Sequence, residues 1–350
     1  MTAPRFFNTA GPNKPEQHYT LPVLARLPEV RGLIDRGLYF TLHAPRQVGK
    51  TTALLRLGKE LTAAGDYVAV LVSMEGGAPF PHDPGAAEDA VLDAWRQRAA
   101  ARLPPELQPP PWPDTEPGAR IGAALQAWAR AAPRPLVLFL DEIDALQDEA
   151  LVSILRQIRD GHDDRPLDFP HALALIGLRD VRDDKIAAGT KGRAGTASPF
   201  NIKTESLTLR NFTQDEVAAL YGQHTVETGQ AFLPEAVARA FALTGGQPWL
   251  VNALGRQLTD VLVKDRSQPI GADMVDEARD ILIRRQDTHL DSLIERLREP
   301  RVQAIIEPMR WPARIWATSP RTTSASSSIS GWCAAPRPAA SRSPTPSTAR

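Results

Sequence analysis

Cysteine is all but missing from this sequence: Cys333 is the only one in 350 residues. No internal disulfide can form, and such usage fits a reducing compartment. Long apolar runs are missing too. Nothing approaches the roughly 20 consecutive apolar residues that a membrane-spanning helix needs, and the opening Met1-Thr2-Ala3-Pro4-Arg5-Phe6-Phe7-Asn8 has no hydrophobic signal region. Neither sign of charge is in excess, since Lys plus Arg and Asp plus Glu both number 41. These absences lead to the expectation of a cytoplasmic protein without a membrane role. Contact with nucleic acid stays open but draws no support from the charge balance. The length allows one large domain or two of ordinary size.

What the chain does have is a stretch from Leu38 to Leu55, reading LYFTLHAPRQVGKTTALL. Leu38-Tyr39-Phe40-Thr41-Leu42 has the β-branched and aromatic bias of a buried strand, and Thr52 to Leu57 resumes with helical spacing. The loop between them therefore lies where strand gives way to helix. Amide N–H groups of a first helical turn converge on an anion there, and the helix dipole adds to the attraction. Ala44, Pro45, Arg46, Gln47, Val48, Gly49, Lys50, Thr51 and Thr52 thus form a candidate phosphate-binding P-loop. Lys50 would bring a mobile positive charge to the β and γ phosphates of a nucleotide, and the Thr51 hydroxyl would ligate magnesium. The strict pattern asks for glycine where Ala44 stands; alanine costs φ freedom but little volume, so the loop is expected to close.

A second motif follows, with Asp141 lying 91 positions after Lys50. Leu136-Val137-Leu138-Phe139-Leu140 reads as a central parallel strand covered on both faces, and Asp141 and Glu142 stand at its C-terminal end. Ligands of open α/β sheets bind outside that end. Asp141 would hold the magnesium through a water. Glu142 would accept a proton from the water that attacks the γ phosphate.

The pair HAPRQVGKTT and LVLFLDEIDAL resembles the Walker A and Walker B motifs of AAA+ ATPases, and more narrowly those of the archaeal-type, STAND-like branch, over about Phe6 to Pro308. The resemblance implies a P-loop NTPase α/β fold: a parallel five-stranded sheet flanked by helices, then an all-helical lid. It implies ATP and Mg2+ as ligands. It also places the N-terminal segment, with His18 and Tyr19, against the adenine, and a polar sensor at the end of the fourth strand, where this chain offers Arg179 or Asp180. Thr244-Gly245-Gly246-Gln247-Pro248 resembles the G-x-P motif that couples nucleotide state to lid position, with Gly246 and Pro248 near the base. Read as residues alone, the same stretch is helix punctuation: a glycine C-cap and a proline opening the next helix.

In order, the expected organisation is a lead-in with one helix over 1–36, an ATPase core over 37–210, and a helical lid over 211–308. Within the core, 76–134 is an insertion with the proline-dense loop around Trp112, read as a spacer with one packed tryptophan. Expected strands are 38–42, 67–74, 136–140, 171–177 and 202–209, and Thr213 with Glu216 forms a capping box opening the lid.

The stretch 309–350 departs from everything before it. Arg310 to Arg350 has six arginines and no acidic residue, yet holds Trp311, Trp316 and Trp332; the rest of the chain has 35 basic side chains against 41 acidic ones, a net charge of −6. It reads either as a basic disordered tail or, preferred here because of its tryptophans, as the product of a shifted reading frame near Arg310 replacing a winged-helix ending.

The function expected is an ATPase acting as a nucleotide-controlled switch, slow without a protein partner or a second copy of the chain because no arginine finger is evident. A non-hydrolysing ATP-binding scaffold in signalling or defence is the alternative, and a DNA-dependent ATPase the third reading.

Overall fold

The computed structural model describes residues 4–45, 47–177 and 205–285. They fall into two compact units, one built from Ala10–Lys14 and Thr20–Arg210, the other from the described residues of Met1–Thr9, Pro15–Tyr19 and Asn211–Arg350. The lead-in expected as one block is therefore shared between the two.

The first unit is a five-stranded sheet with helices on both faces. In chain order its elements are a 3-10 turn Val23–Arg26, α1 (Glu29–Asp35), β1 (Tyr39–His43), α2 (Lys50–Ala64), β2 (Val68–Ser73), α3 (Pro84–Arg102), α4 (Arg120–Ala131), β3 (Leu136–Asp141), α5 (Asp148–Asp160), β4 (Ala172–Gly177) and β5 (Glu205–Thr208). All neighbouring strands run parallel, in the order β2-β3-β4-β1-β5. The apolar strands read without interruption because each face is covered. Alternate residues serve opposite cores. Phe40, Leu42, Leu71, Phe139 and Ile176 pack with Leu33 of α1 and Leu54 and Leu57 of α2, while Tyr39, Val70, Leu138 and Leu175 pack with Trp95, Trp128 and Ile154 of α3, α4 and α5.

The stretch anticipated as an insertion is thus a structural half of the sheet unit, since α3 and α4 cover one face. Trp112 fits the packed spacer: its indole donates to the Leu92 carbonyl at 3.1 Å, and its ring lies 6.0 Å from that of Trp128. From α3, Trp95 Nε1 donates to the Ser73 carbonyl at 3.2 Å, which fixes the C-terminal end of β2.

The second unit contains α6 (Gln214–Thr228), α7 (Pro234–Thr244), α8 (Pro248–Arg256), continued by a π-helical turn Gln257–Leu262, and α9 (Ala272–Arg285). The capping box is present at α6: the Glu216 amide donates to Thr213 Oγ1 at 3.2 Å and the Thr213 amide to Glu216 Oε2 at 2.8 Å. The N-terminal strand of chain is built into this unit. Phe7 and Tyr19 are buried among Tyr221, His224 and Phe232, and Phe7 lies so close to α8 that a Cβ on Gly255 would stand 2.8 Å from its ring.

Arg46, Arg179, residues 286–308 of the expected lid and the stretch 309–350 lie outside the described residues. No described helix is long and apolar enough to cross a membrane.

Candidate nucleotide site

The strand register brings the two motifs to one edge of the sheet. His43, the last residue of β1, pairs with Gly177 of β4, and Ser73 pairs with Asp141, so the loops after β1 and β3 leave the sheet on the same side. Gln47 and Gly49 both take left-handed conformations, φ 62° and 93°. Gly49 is the N-cap of α2 and has no side chain to cap it. The first regular helix bond is from the Ala53 amide to the Gly49 carbonyl, at 2.9 Å; the preceding amides of a helix have no acceptor within it and face outward. Ala44 is buried and does not take a left-handed conformation, so its backbone does not require the glycine of the strict pattern.

Thr51 Oγ1 donates to Asp141 Oδ2 at 3.0 Å, which joins the start of α2 to the acidic strand end across 90 positions of sequence. Asp141 is 8% exposed. Burial pushes its carboxyl above the ordinary value, the Glu142 charge adds to this, and the bond from Thr51 and the Lys50 charge act against it. A buried carboxylate beside a hydroxyl, at a strand end where phosphate oxygens would arrive, is a donor set of hard oxygens that fits Mg2+.

The Lys50 ammonium donates to the Ala44 carbonyl and, at 3.2 Å, to the Pro45 carbonyl, so the side chain folds back over its own loop. The Thr52 hydroxyl accepts the Asn13 amide at 3.2 Å. Glu142 has φ 60°, a conformation that costs a non-glycine residue energy. Two bonds hold it there: its amide donates to Asp141 Oδ1 at 3.1 Å, and its Oε2 accepts the Ser73 hydroxyl at 2.8 Å. Lys50, Thr51, Asp141 and Glu142 are therefore assembled within one unit.

This architecture has known counterparts. No family model and no curated protein matches the chain. Among solved structures, the Walker-type ATPase PABY2304 of Pyrococcus abyssi superposes at a TM-score of 0.53 with 12% identity, over 84% of this chain and 80% of that one. The fold is that of an AAA+ P-loop ATPase. Less similar are the RuvB Holliday junction branch migration motor of Thermotoga maritima, at a TM-score of 0.44 with 17% identity over 74% of this chain and 67% of that one, and Cdc6p of Pyrobaculum aerophilum, at 0.42 with 13% identity over 76% and 66%.

In this AAA+ fold the remaining anticipated residues belong to the helical unit. Tyr19 is 1% exposed, with its hydroxyl 3.1 Å from His224 Nδ1, and the His18 ring stands edge-on to Phe6 at 4.8 Å; both are engaged in packing. Burial raises the Tyr19 phenol to about 12. Gly245 caps α7 with φ 55° and Gly246 follows with φ 70°. Gly246 is pressed against the chain that enters this unit: a Cβ there would stand 2.0 Å from the Phe212 carbonyl oxygen, and its own carbonyl accepts the Phe212 amide at 2.9 Å. Pro248 opens α8, capped by the Gln247 side chain, which accepts the Leu250 amide at 2.6 Å. The glycine C-cap and the proline helix start expected from the residues alone are both present.

Two residues of the site escaped sequence reasoning. Ser73 had a signal, being the polar residue at which the apolar run of β2 stops. Arg26 had none. Its Nη1 donates to the Val48 carbonyl at 3.1 Å and to the Arg210 carbonyl at 3.0 Å, contacts that only the folded unit creates.

Proposed function

We propose that the chain is a Mg2+-dependent ATPase that works as a nucleotide-controlled switch. The observation that carries the proposal is the Thr51–Asp141 hydrogen bond at 3.0 Å, which puts the hydroxyl of one motif and the carboxylate of the other at one point beside a helix N-terminus. The outward-facing amides of the first turn of α2 would bind the phosphates. Lys50 would exchange the Ala44 and Pro45 carbonyls for β and γ phosphate oxygens, which offer a stronger, charge-assisted bond. Thr51 would ligate Mg2+ directly and Asp141 through a water. The ion, when bound, would bridge and neutralise phosphate oxygens.

Glu142 would act as general base toward the attacking water, after its carboxylate leaves the Ser73 hydroxyl. That restraint supports a slow basal rate and a role for a protein partner or a second copy of the chain in turnover. Arg179, two positions after β4 in the sequence, is the proposed sensor of the γ phosphate. Gly246 and Pro248 would couple nucleotide state to lid position.

Binding of ATP and ADP with and without magnesium, measured for the wild-type chain, Lys50→Ala and Thr51→Ala, tests the site. The wild type is expected to bind both nucleotides, Lys50→Ala to lose binding, and Thr51→Ala to lose the magnesium dependence. Undiminished binding by Lys50→Ala refutes the assignment.

A further inference from the structure

We propose that Arg26 is a positioning residue of the phosphate loop, aiming the Gly49 amide at the nucleotide by gripping the carbonyl of the same peptide unit. The inference rests on the nucleotide-binding reading given above and adds a residue to it.

Arg26 ends the 3-10 turn that precedes α1 and is buried at 6% exposure, unusual for a guanidinium. One nitrogen, Nη1, reaches the Val48 carbonyl at 3.1 Å and the Arg210 carbonyl at 3.0 Å. Its Nη2 lies against Gly49, where a Cβ would stand 3.3 Å away. The guanidinium thus spans from the phosphate loop to the chain just after β5.

A trans peptide unit is planar, and its C=O and N–H point in opposite directions. Val48 O and Gly49 N–H belong to one such unit. With the Val48 oxygen held toward Arg26, the Gly49 N–H is turned to the far side, toward the mouth of the loop and the first turn of α2. Gly49 itself has φ 93°, so this peptide is flanked by a residue with wide conformational freedom, and without an anchor it could rotate. Arginine suits the task because Nη1 alone carries two N–H donors, one for each fixed carbonyl, at a reach that a lysine ammonium does not have, and because it keeps its charge at any working pH. That charge contacts the loop proposed to hold the phosphates.

The Gly49 amide would serve a phosphate common to ATP and ADP, in the ground state as in the transition state. Losing its aim weakens both nucleotides equally and leaves kcat alone, as expected for uniform binding.

The test compares the full wild-type chain with Arg26→Met and Arg26→Lys. Dissociation constants for ATP and ADP are measured with magnesium, together with KM, kcat and the far-UV circular dichroism and thermal midpoint of the nucleotide-free proteins. The expected result is a loss of affinity of about tenfold for Arg26→Lys, which keeps a charge but lacks the reach to both carbonyls, and a larger loss for Arg26→Met. The loss should match for ATP and ADP, with kcat within about twofold of wild type. Wild-type affinity in Arg26→Lys overturns the proposal, since charge alone would then suffice. Variants that are both unfolded in the absence of nucleotide also overturn it, because Arg26 would then be a folding residue. A wild-type chain that binds no ATP refutes the nucleotide site itself and takes the Arg26 role with it.

Discussion

The Ser73 hydroxyl donates to Glu142 Oε2 at 2.8 Å, tying the proposed base to the end of the neighbouring strand. The bond spans β2 and β3, where Ser73 and Asp141 are in register, and Trp95 holds the Ser73 carbonyl from below. A carboxylate so held is restrained from turning to a water at the γ phosphate. Ser73→Ala should therefore raise basal kcat several-fold while leaving the ATP dissociation constant unchanged. Steady-state phosphate release with a parallel binding titration measures both quantities.

Asp141 is a buried carboxylate next to a second carboxylate, and its folded form resists ionisation for both reasons. Ionised at neutral pH, it costs the nucleotide-free fold stability. Asp141→Asn removes the charge and keeps one oxygen for the Thr51 hydroxyl; its NH2 then faces the Glu142 N–H, which offsets part of the gain. Its nucleotide-free thermal midpoint should rise by a few degrees, on the order of what 1 kcal/mol produces in a domain of this size, while the gain in midpoint on adding Mg-ATP should largely disappear. Thermal unfolding with and without Mg-ATP reads both effects.

The helical unit should weaken in acid through His224. This ring is buried, bonded at Nδ1 to the Tyr19 hydroxyl and at Nε2 to Gln230 Oε1 at 2.9 Å. Burial holds it below the ordinary value of 6.5, assisted by the Arg266 charge and opposed by the Gln230 bond. The folded ring stays neutral while an unfolded chain takes up a proton, so the stability it contributes is complete above pH 6.5 and is lost as pH falls below it. Urea midpoints between pH 8 and pH 5 should decline, and His224→Gln should flatten the decline. Part of the slope should persist, because His171 in the sheet unit is also held low by burial.

Gly246 cannot accept a side chain. Its φ of 70° and the 2.0 Å approach of the Phe212 carbonyl to a Cβ oppose any L-residue there. Gly246→Ala should destabilise the helical unit by about 2 kcal/mol or more, whereas Gly222→Ala, where a Cβ would meet nothing within 4 Å, should be neutral or mildly stabilising. Urea denaturation of the two variants makes the comparison.

The sheet was legible because its strands are buried on both faces, so Tyr39–His43, Val68–Ser73, Leu136–Asp141 and Ala172–Gly177 carry unbroken apolar signals. The loop between β1 and α2 and the Asp141-Glu142 pair at the end of β3 were legible as structure because each stretch is contiguous in sequence. The partition of the lead-in was not, since the burial of Phe7 and Tyr19 against helices some 200 positions later leaves no local trace. The same holds for Arg26, whose partners Val48 and Arg210 are brought together by the fold. The extent of the second core also escaped notice: the proline-dense loop drew the eye, while the helices on either side of it carry Trp95 and Trp128 to one face of the sheet.

The measurement that tests the central claim most directly is phosphate release from Mg-ATP by the wild-type chain and by Glu142→Gln, with nucleotide binding followed in the same samples. Both proteins should bind ATP, and only the wild type should turn over, the variant losing about 10²- to 10⁴-fold in kcat, as removal of a general base does. Equal turnover in the two proteins, or ATP binding without hydrolysis in the wild type, would contradict the account.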